Sequence, residues 1–319
     1  MKELPINLNP YAKTFQYYAL PIAALTGENP KNELYMLNNI TQVMFTESEH
    51  REVFFYPNSY HFAKWKCLNC QFTQKSEIYD NLIDYIRDAI DNGLYFFTYV
   101  NDMYIPDRTN YMRNNFEHEI MVHGYDDENL LFLGYDKTGR FNSSKITFSR
   151  FEKAFKSLKP DRPVILFNSK KDYENKLDIP LNITLITDYL NSYNSSLRHE
   201  DYNEFLKDRI WGVKAFEMVL SDLMVRDIAD IRLWDLLCEH KRLMYDRIKF
   251  FSSVADVSEI QKRYEDILNS AVVVKNLVMK YIISNNKKML FYIESNMNEL
   301  LIYERDVLND FCTAAKNKT

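Results

Sequence analysis

From about residue 180 onward the chain repeats one pattern that few folds can satisfy: long segments with apolar side chains every three or four residues, separated by short polar breaks. "NEFLKDRIWGVKAFEMVLSDLM", "DIRLWDLLCEHKRLMYDRIKFFSSV", "SEIQKRYEDILNSAVVVKNLVMKYIISN" and "KKMLFYIESNMNELLIYERDVLNDFC" all carry it. Such spacing draws a stripe along one helix face, and that stripe must be buried against another element. Four or five helices of this kind predict a helical bundle or cap. Ser258 is placed to begin one of them, and "ISNNKK" to separate the last two.

Before residue 170 the pattern is mixed. "YYALPIAALTG" has helix potential with Gly27 as a stop. "REVFFYP" reads as a strand ended by Pro57, since proline donates no ladder hydrogen bond. In "SEIYDNLIDYIRDAIDNG", Ile78, Leu82, Ile83, Ile86 and Ile90 share a face, Ser76 is placed as a cap and Gly93 as a C-terminal glycine. "LYFFTYVN" reads as a buried strand, and "HEIMVHGY" and "NLLFLGYD" as two more joined by "DDE". A turn at Gly139, a short strand, a helix near Phe151 capped by Ser149, and a last strand "RPVILFNSKK" follow. Helix first and hairpin-linked strands after predict an α+β domain with an antiparallel sheet. The expected division is 1–170 for this domain and 171–319 for the helices.

Charge and motifs exclude several functions. The 319 residues carry a formal net charge of −5, which argues against broad nucleic-acid binding. Cys67 and Cys70 form one C-x-x-C without the second ligand pair that structural zinc needs. No glycine-rich phosphate loop is present, so no nucleotide cofactor is expected. No run of about 18 apolar residues predicts a membrane span, and "MKELPINLNPYAK" lacks the pattern of a secretory leader, so the expected location is cytoplasmic.

One pairing could carry chemistry. In an antiparallel hairpin the start of one strand faces the end of its partner, which brings His118 towards Asp136. A carboxylate beside an imidazole fixes its tautomer and prepares the other ring nitrogen to accept a proton. His123, five residues on, is the less favoured base, and Asp126 and Asp127 read as turn residues. A histidine at a strand edge is more often structural, so the pairing alone decides little.

The wider stretch "GLYFFTYVNDMYIPDRTNYMRNNFEHEIMVHGYDDENLLFLGYDKTGRFNSSKITFSRFEKAF" resembles the papain-like family typified by butirosin biosynthesis protein H. A helix, a glycine, a buried strand ending in Asn-Asp, an "MYIP" segment, a His-initiated strand, "GYDD" and a strand ending in Asp come in the same order, over roughly residues 10 to 165. The resemblance implies a papain-like fold and acyl transfer. A cysteine at the start of the first helix would take an acyl group from a carrier-protein thioester and pass it to an amine, as in amide formation during antibiotic biosynthesis. It implies no cofactor, because the thioester is already activated. The partners it implies are a carrier protein and an amine acceptor. Neither nucleic acid nor membrane is expected, and a homodimer is compatible.

The departure lies at the nucleophile. "TFQYYALPIAALTG" contains no cysteine. Ala19 is the best-matching position, with Pro21 tolerated in a first turn, and Gln16 is the second candidate for the slot or an oxyanion donor. Ala19 is then either natural, in a non-catalytic relative, or a replacement for cysteine. Asn101, Asp102 and Tyr104 are the candidate substrate-binding residues. The expected mechanism uses His118 as general base, Asp136 as its orienting carboxylate and position 19 for the thiol. A cysteine peptidase and a pseudoenzyme that binds an acyl chain or carrier protein are the alternatives.

Overall fold

A computed structural model describes residues 1–47, 51–56, 62–63, 65–159, 162–170, 182–199, 209–252 and 256–316. Pro57 and the leading "NEFLKD" of the first long segment lie outside them. The architecture is α+β, with an antiparallel sheet in one part and a helical C-terminal region, as expected. The division is discontinuous, however. One compact unit is Met1–Glu33 with Ser59–Asp178, and the other is Leu34–Asn58 with Ile179–Thr319.

In the first unit seven strands form one antiparallel sheet. They are β1 (Lys2–Glu3), β4 (Leu68–Gln74), β5 (Tyr95–Asn101), β6 (Glu117–Tyr125), β7 (Asn129–Tyr135), β8 (Phe141–Thr147) and β9 (Pro163–Ser169). The order is β4-β9-β5-β6-β7-β8, with β1 pairing to β6. Period-2 alternation sends Phe96, Val100, Ile120, Val122, Leu130 and Phe132 into one core. Helices α3 (Leu82–Asp91) and α4 (Phe148–Lys156) close it with Leu82, Ile86, Ile90, Phe151 and Phe155. Helix α1 (Gln16–Glu28) packs on β6, β7 and β9.

Several boundaries moved. Ser76 lies in a short 3₁₀ turn, Lys75–Ile78, and α3 starts after Asn81, although Ile78 still reaches the core. Gly93, at φ 73°, ends that helix as a left-handed residue should. Gly27 does not stop α1, which runs to Glu28. A Cβ there would lie 2.5 Å from the Cα of Ile6, so its smallness admits the N-terminal segment. Helix α4 starts at Phe148 with Thr147 as its flanking residue, and Ser149 falls inside it. His123 occupies an irregularity in the register between Val122 and Gly124, is fully buried, and bonds Ser143 Oγ at 2.9 Å.

The second unit contains a small antiparallel sheet absent from the expectation. It joins β10 (Ile210–Trp211), β2 (Val43–Thr46) and β3 (Glu52–Phe55). "REVFFYP" therefore belongs with the helices. Ile210 and Trp211 are strand rather than helix, and α6 (Val213–Arg226) starts only after Gly212. The other helices here are α2 (Glu33–Asn39, whose first residue belongs to the other unit), α5 (Ile183–Asn194), α7 (Ile231–Phe251), α8 (Ser258–Ser284) and α9 (Lys288–Lys316). Two buried bases of α7 explain why residues 37–41 lie here. Arg247 donates to the carbonyls of Leu37 (2.6 Å) and Ile40 (2.9 Å), and His240 Nε2 lies 3.0 Å from the Thr41 carbonyl.

One buried carboxylate ties four helices together. Glu304 of α9 accepts from Lys241 of α7 (2.7 Å), Tyr193 of α5 (3.0 Å) and Tyr264 of α8 (2.5 Å). The Lys241 and Glu304 side chains are both fully buried. Glu304→Ala strands a buried cation and should cost about 3–5 kcal/mol in urea unfolding; joint replacement by Lys241→Met and Glu304→Leu should recover most of it. His123 gives a pH test. Burial pushes its imidazole down to about 4, opposed only in part by a backbone hydrogen bond with Leu4. Between about pH 6.5 and 4 the unfolded chain then binds a proton that the folded chain does not, so stability falls on acidification. The loss should reach about 3 kcal/mol at pH 4 and be missing from His123→Gln.

Candidate functional site

Three strand ends and one helix start meet at one end of the large sheet: the close of β5, the start of β6, the close of β7 and the first turn of α1. Helix α1 begins at Gln16, three residues before the position taken as its tip. That shift decides which side chain faces His118. Ala19 lies one turn deeper, with 0% exposure, and its N–H makes a helical hydrogen bond to the Phe15 carbonyl (3.1 Å). Pro21 consequently sits within the helix rather than in its first turn.

Gln16, the second candidate for the nucleophile slot, is the side chain of α1 that meets His118. Its Oε1 accepts from Arg108 Nη1 (3.0 Å) and from the Tyr135 N–H (2.7 Å). Both partners are donors, so the amide orientation is settled and the nitrogen must donate. Nε2 lies 2.8 Å from His118 Nε2 and 3.3 Å from the Glu119 carbonyl. His118 Nε2 therefore accepts, and the ring proton is on Nδ1, which faces Asp102 Oδ2 at 3.2 Å. The imidazole has a carboxylate partner, but it is Asp102 of the "VNDMYIP" turn.

Asp136, expected in that role, is engaged elsewhere. Its Oδ1 accepts from the Thr138 N–H (2.8 Å), the Thr138 hydroxyl (2.6 Å) and the Arg140 N–H (3.1 Å). These bonds, led by the Thr138 hydroxyl, hold its carboxyl below the usual range. The hairpin argument located the strand end correctly, but a turn of the form Asp-x-Thr-Gly-Arg draws its aspartate back onto its own backbone.

Arg108 is the residue that sequence reasoning missed. It is 3% exposed, donates to the Tyr135 carbonyl as well as to Gln16, lies 3.8 Å from Asp102 Oδ1, and stacks 5.5 Å from the Phe132 ring centre. Burial lowers its guanidinium from the ordinary value, while Asp102 and then Asp107, Glu119 and Asp136 oppose that; an arginine remains a cation under such conditions. The only warning in the sequence was an arginine between a Pro-Asp turn and a strand. Gly134 completes the fit: a Cβ there would stand 2.2 Å from Arg108 Nη2 and 2.3 Å from Gln16 Oε1.

The remaining candidates divide. Asn101 is 3% exposed, and its side chain accepts from the Met103 N–H (3.1 Å) and donates to Asn115 (2.9 Å), which shapes the turn. Asn101 and Tyr104 also line a polar cleft of about 620 Å³ with Asn115, Glu117, Lys159 and Arg162. None of the four thiols is poised as a nucleophile. Burial pushes Cys67 up strongly and pushes Cys70, Cys238 and Cys312 to about 11, leaving little thiolate at neutral pH. Among the described residues no group of three His, Cys, Asp or Glu side chains is arranged to hold a metal ion.

Comparison with protein-family models gave no match, and no curated protein matches the chain. The geometry stands on its own. Gly134→Ala should force Gln16 and Arg108 apart and cost about 1–3 kcal/mol. Chemical denaturation measures that loss, and the His118 ring signals in NMR should move with it.

Proposed function

We propose that this chain is a thiol-less relative of the papain-like acyltransferases typified by butirosin biosynthesis protein H. It binds an acyl group or its carrier protein in natural-product assembly without forming an acyl-enzyme. The observation that carries this reading is the amide of Gln16, whose two acceptor and two donor positions are all used at the head of α1. The proton-accepting nitrogen of His118 is already occupied by that amide, so the His118–Asp102 couple has neither a nucleophile to activate nor a free accepting nitrogen, while the 30% exposed ring can still meet a ligand. A peptidase would require the same thiol and meets the same obstacle. The tight fit of Gly134 and Arg108 around glutamine supports Gln16 as the residue this site was built for, and the buried position of Ala19 gives no support to a lost cysteine there.

A cysteine at position 16 would end two bonds short of the amide nitrogen, which leaves room for a thioester carbonyl beside His118. The native protein, incubated with an acyl N-acetylcysteamine thioester, should gain no mass, yet the ligand should shift the His118 ring signals. Gln16→Cys should acquire the acyl group, and His118→Ala in that background should slow acylation by about 10²–10⁴-fold. A covalent adduct or turnover in the native protein would overturn the reading, and so would His118 signals that ignore the thioester at millimolar concentration.

A further inference from the structure

The turn between α8 and α9 concentrates features that the site does not use. Asn285, left-handed at φ 50°, reverses the chain, and the last turn of α8 and first turn of α9 project bulky apolar side chains. Ile283 is 80% exposed, Phe291 69%, Tyr292 51%, Ile282 44% and Met279 38%. No aspartate or glutamate occurs from Ile267 to Ile293, whereas Lys275, Lys280, Lys287 and Lys288 do. Lys275 pairs with Asp235 and Lys287 with Asp227; Lys280 and Lys288 make no ion pair among the described residues. Helix α8 is also long and apolar enough to cross a bilayer by length and composition. Its Tyr264, Leu268, Ala271, Val274, Val278 and Tyr281 side chains are nevertheless packed inside the unit, which argues against a span.

We infer that this helical hairpin tip docks on an anionic membrane surface. A convex tip with isoleucine, phenylalanine and tyrosine beside lysines matches the interface of a bilayer. There the aromatic rings and aliphatic chains enter the acyl boundary and the ammonium groups stay among anionic headgroups. Residues 279 to 284 supply about 9 Å of helix, comparable to the depth of about 5–10 Å that such faces reach. A second copy of the chain is a poorer occupant, because a two-fold contact would set Lys280 and Lys288 against themselves, and the acid at the tip, Asp227, is already paired with Lys287. A protein partner would need pockets for five protruding side chains, whereas fluid lipid needs none. A surface-docked tip is not a spanning segment, but it departs from the expectation that no membrane is a partner.

The test is co-sedimentation of the full chain with phosphatidylcholine vesicles, with and without phosphatidylserine. Binding to the anionic vesicles should be at least about tenfold tighter than to neutral ones, given two or more lysines near the surface, and should weaken with salt. Ile283→Glu combined with Phe291→Glu should abolish it without changing the melting temperature. Leu197→Glu, at a site 62% exposed and close to Asn194, which bonds Arg305 and Asn309 well along α9 from the tip, should leave it intact. No binding to either vesicle, equal binding to both, or binding that survives the tip substitutions would overturn the inference. So would light scattering showing a dimer that Ile283→Glu splits.

Discussion

The carboxamide of Gln16 is held by a buried guanidinium and a strand N–H on one side and by an imidazole and a strand carbonyl on the other. The end of the large sheet is arranged around those four contacts. They connect α1 with β6, β7 and the turn after β5, and they determine the His118 tautomer. They also place Arg108 where its charge is balanced by Asp102 rather than by water. An amide suits this position because it presents donors and an acceptor together. A thiol could not accept from Arg108 and Tyr135 with comparable strength.

The helical unit is organised by a similar economy of buried polar groups. Glu304 gathers partners from three other helices, and Arg247 and His240 hold the carbonyls of a segment more than 190 residues earlier in the chain. Buried charges of this kind add little net stability against apolar replacements, but removing one partner is costly. They select which segment of the chain joins the unit and which helix faces meet. That selection accounts for the discontinuous division better than hydrophobicity does, since the apolar stripes alone would accept many arrangements.

Much of the fold was legible because it rests on local periodicity. The strand "LYFFTYVN", the hairpin from His118 to Tyr135, the strand at 163–169, the Gly93 helix end and the start of α8 at Ser258 all came from spacing and turn chemistry. What was misread shares one cause. The start of α1, the partner of His118 and the allegiance of residues 34–58 each depend on contacts between distant positions. In an apolar run such as "YYALPIAAL" the helix start is set by which residue meets the sheet, and three residues of error exchange Gln16 for Ala19.

The sequence by itself determined the class of fold, the order of elements from Leu82 to Ser169, the histidine at a strand start and the want of a cysteine in the first helix, because periodicity and residue chemistry are local properties. Only the tertiary structure decided that Asp102 faces the imidazole, that Asp136 turns back into its own loop, and that a glutamine anchored by Arg108 fills the space between strand and helix. Those outcomes depend on side-chain reach across chain separations of 16 to more than 100 residues, where hydrogen-bond geometry and the cost of burying an unpaired polar group choose among partners.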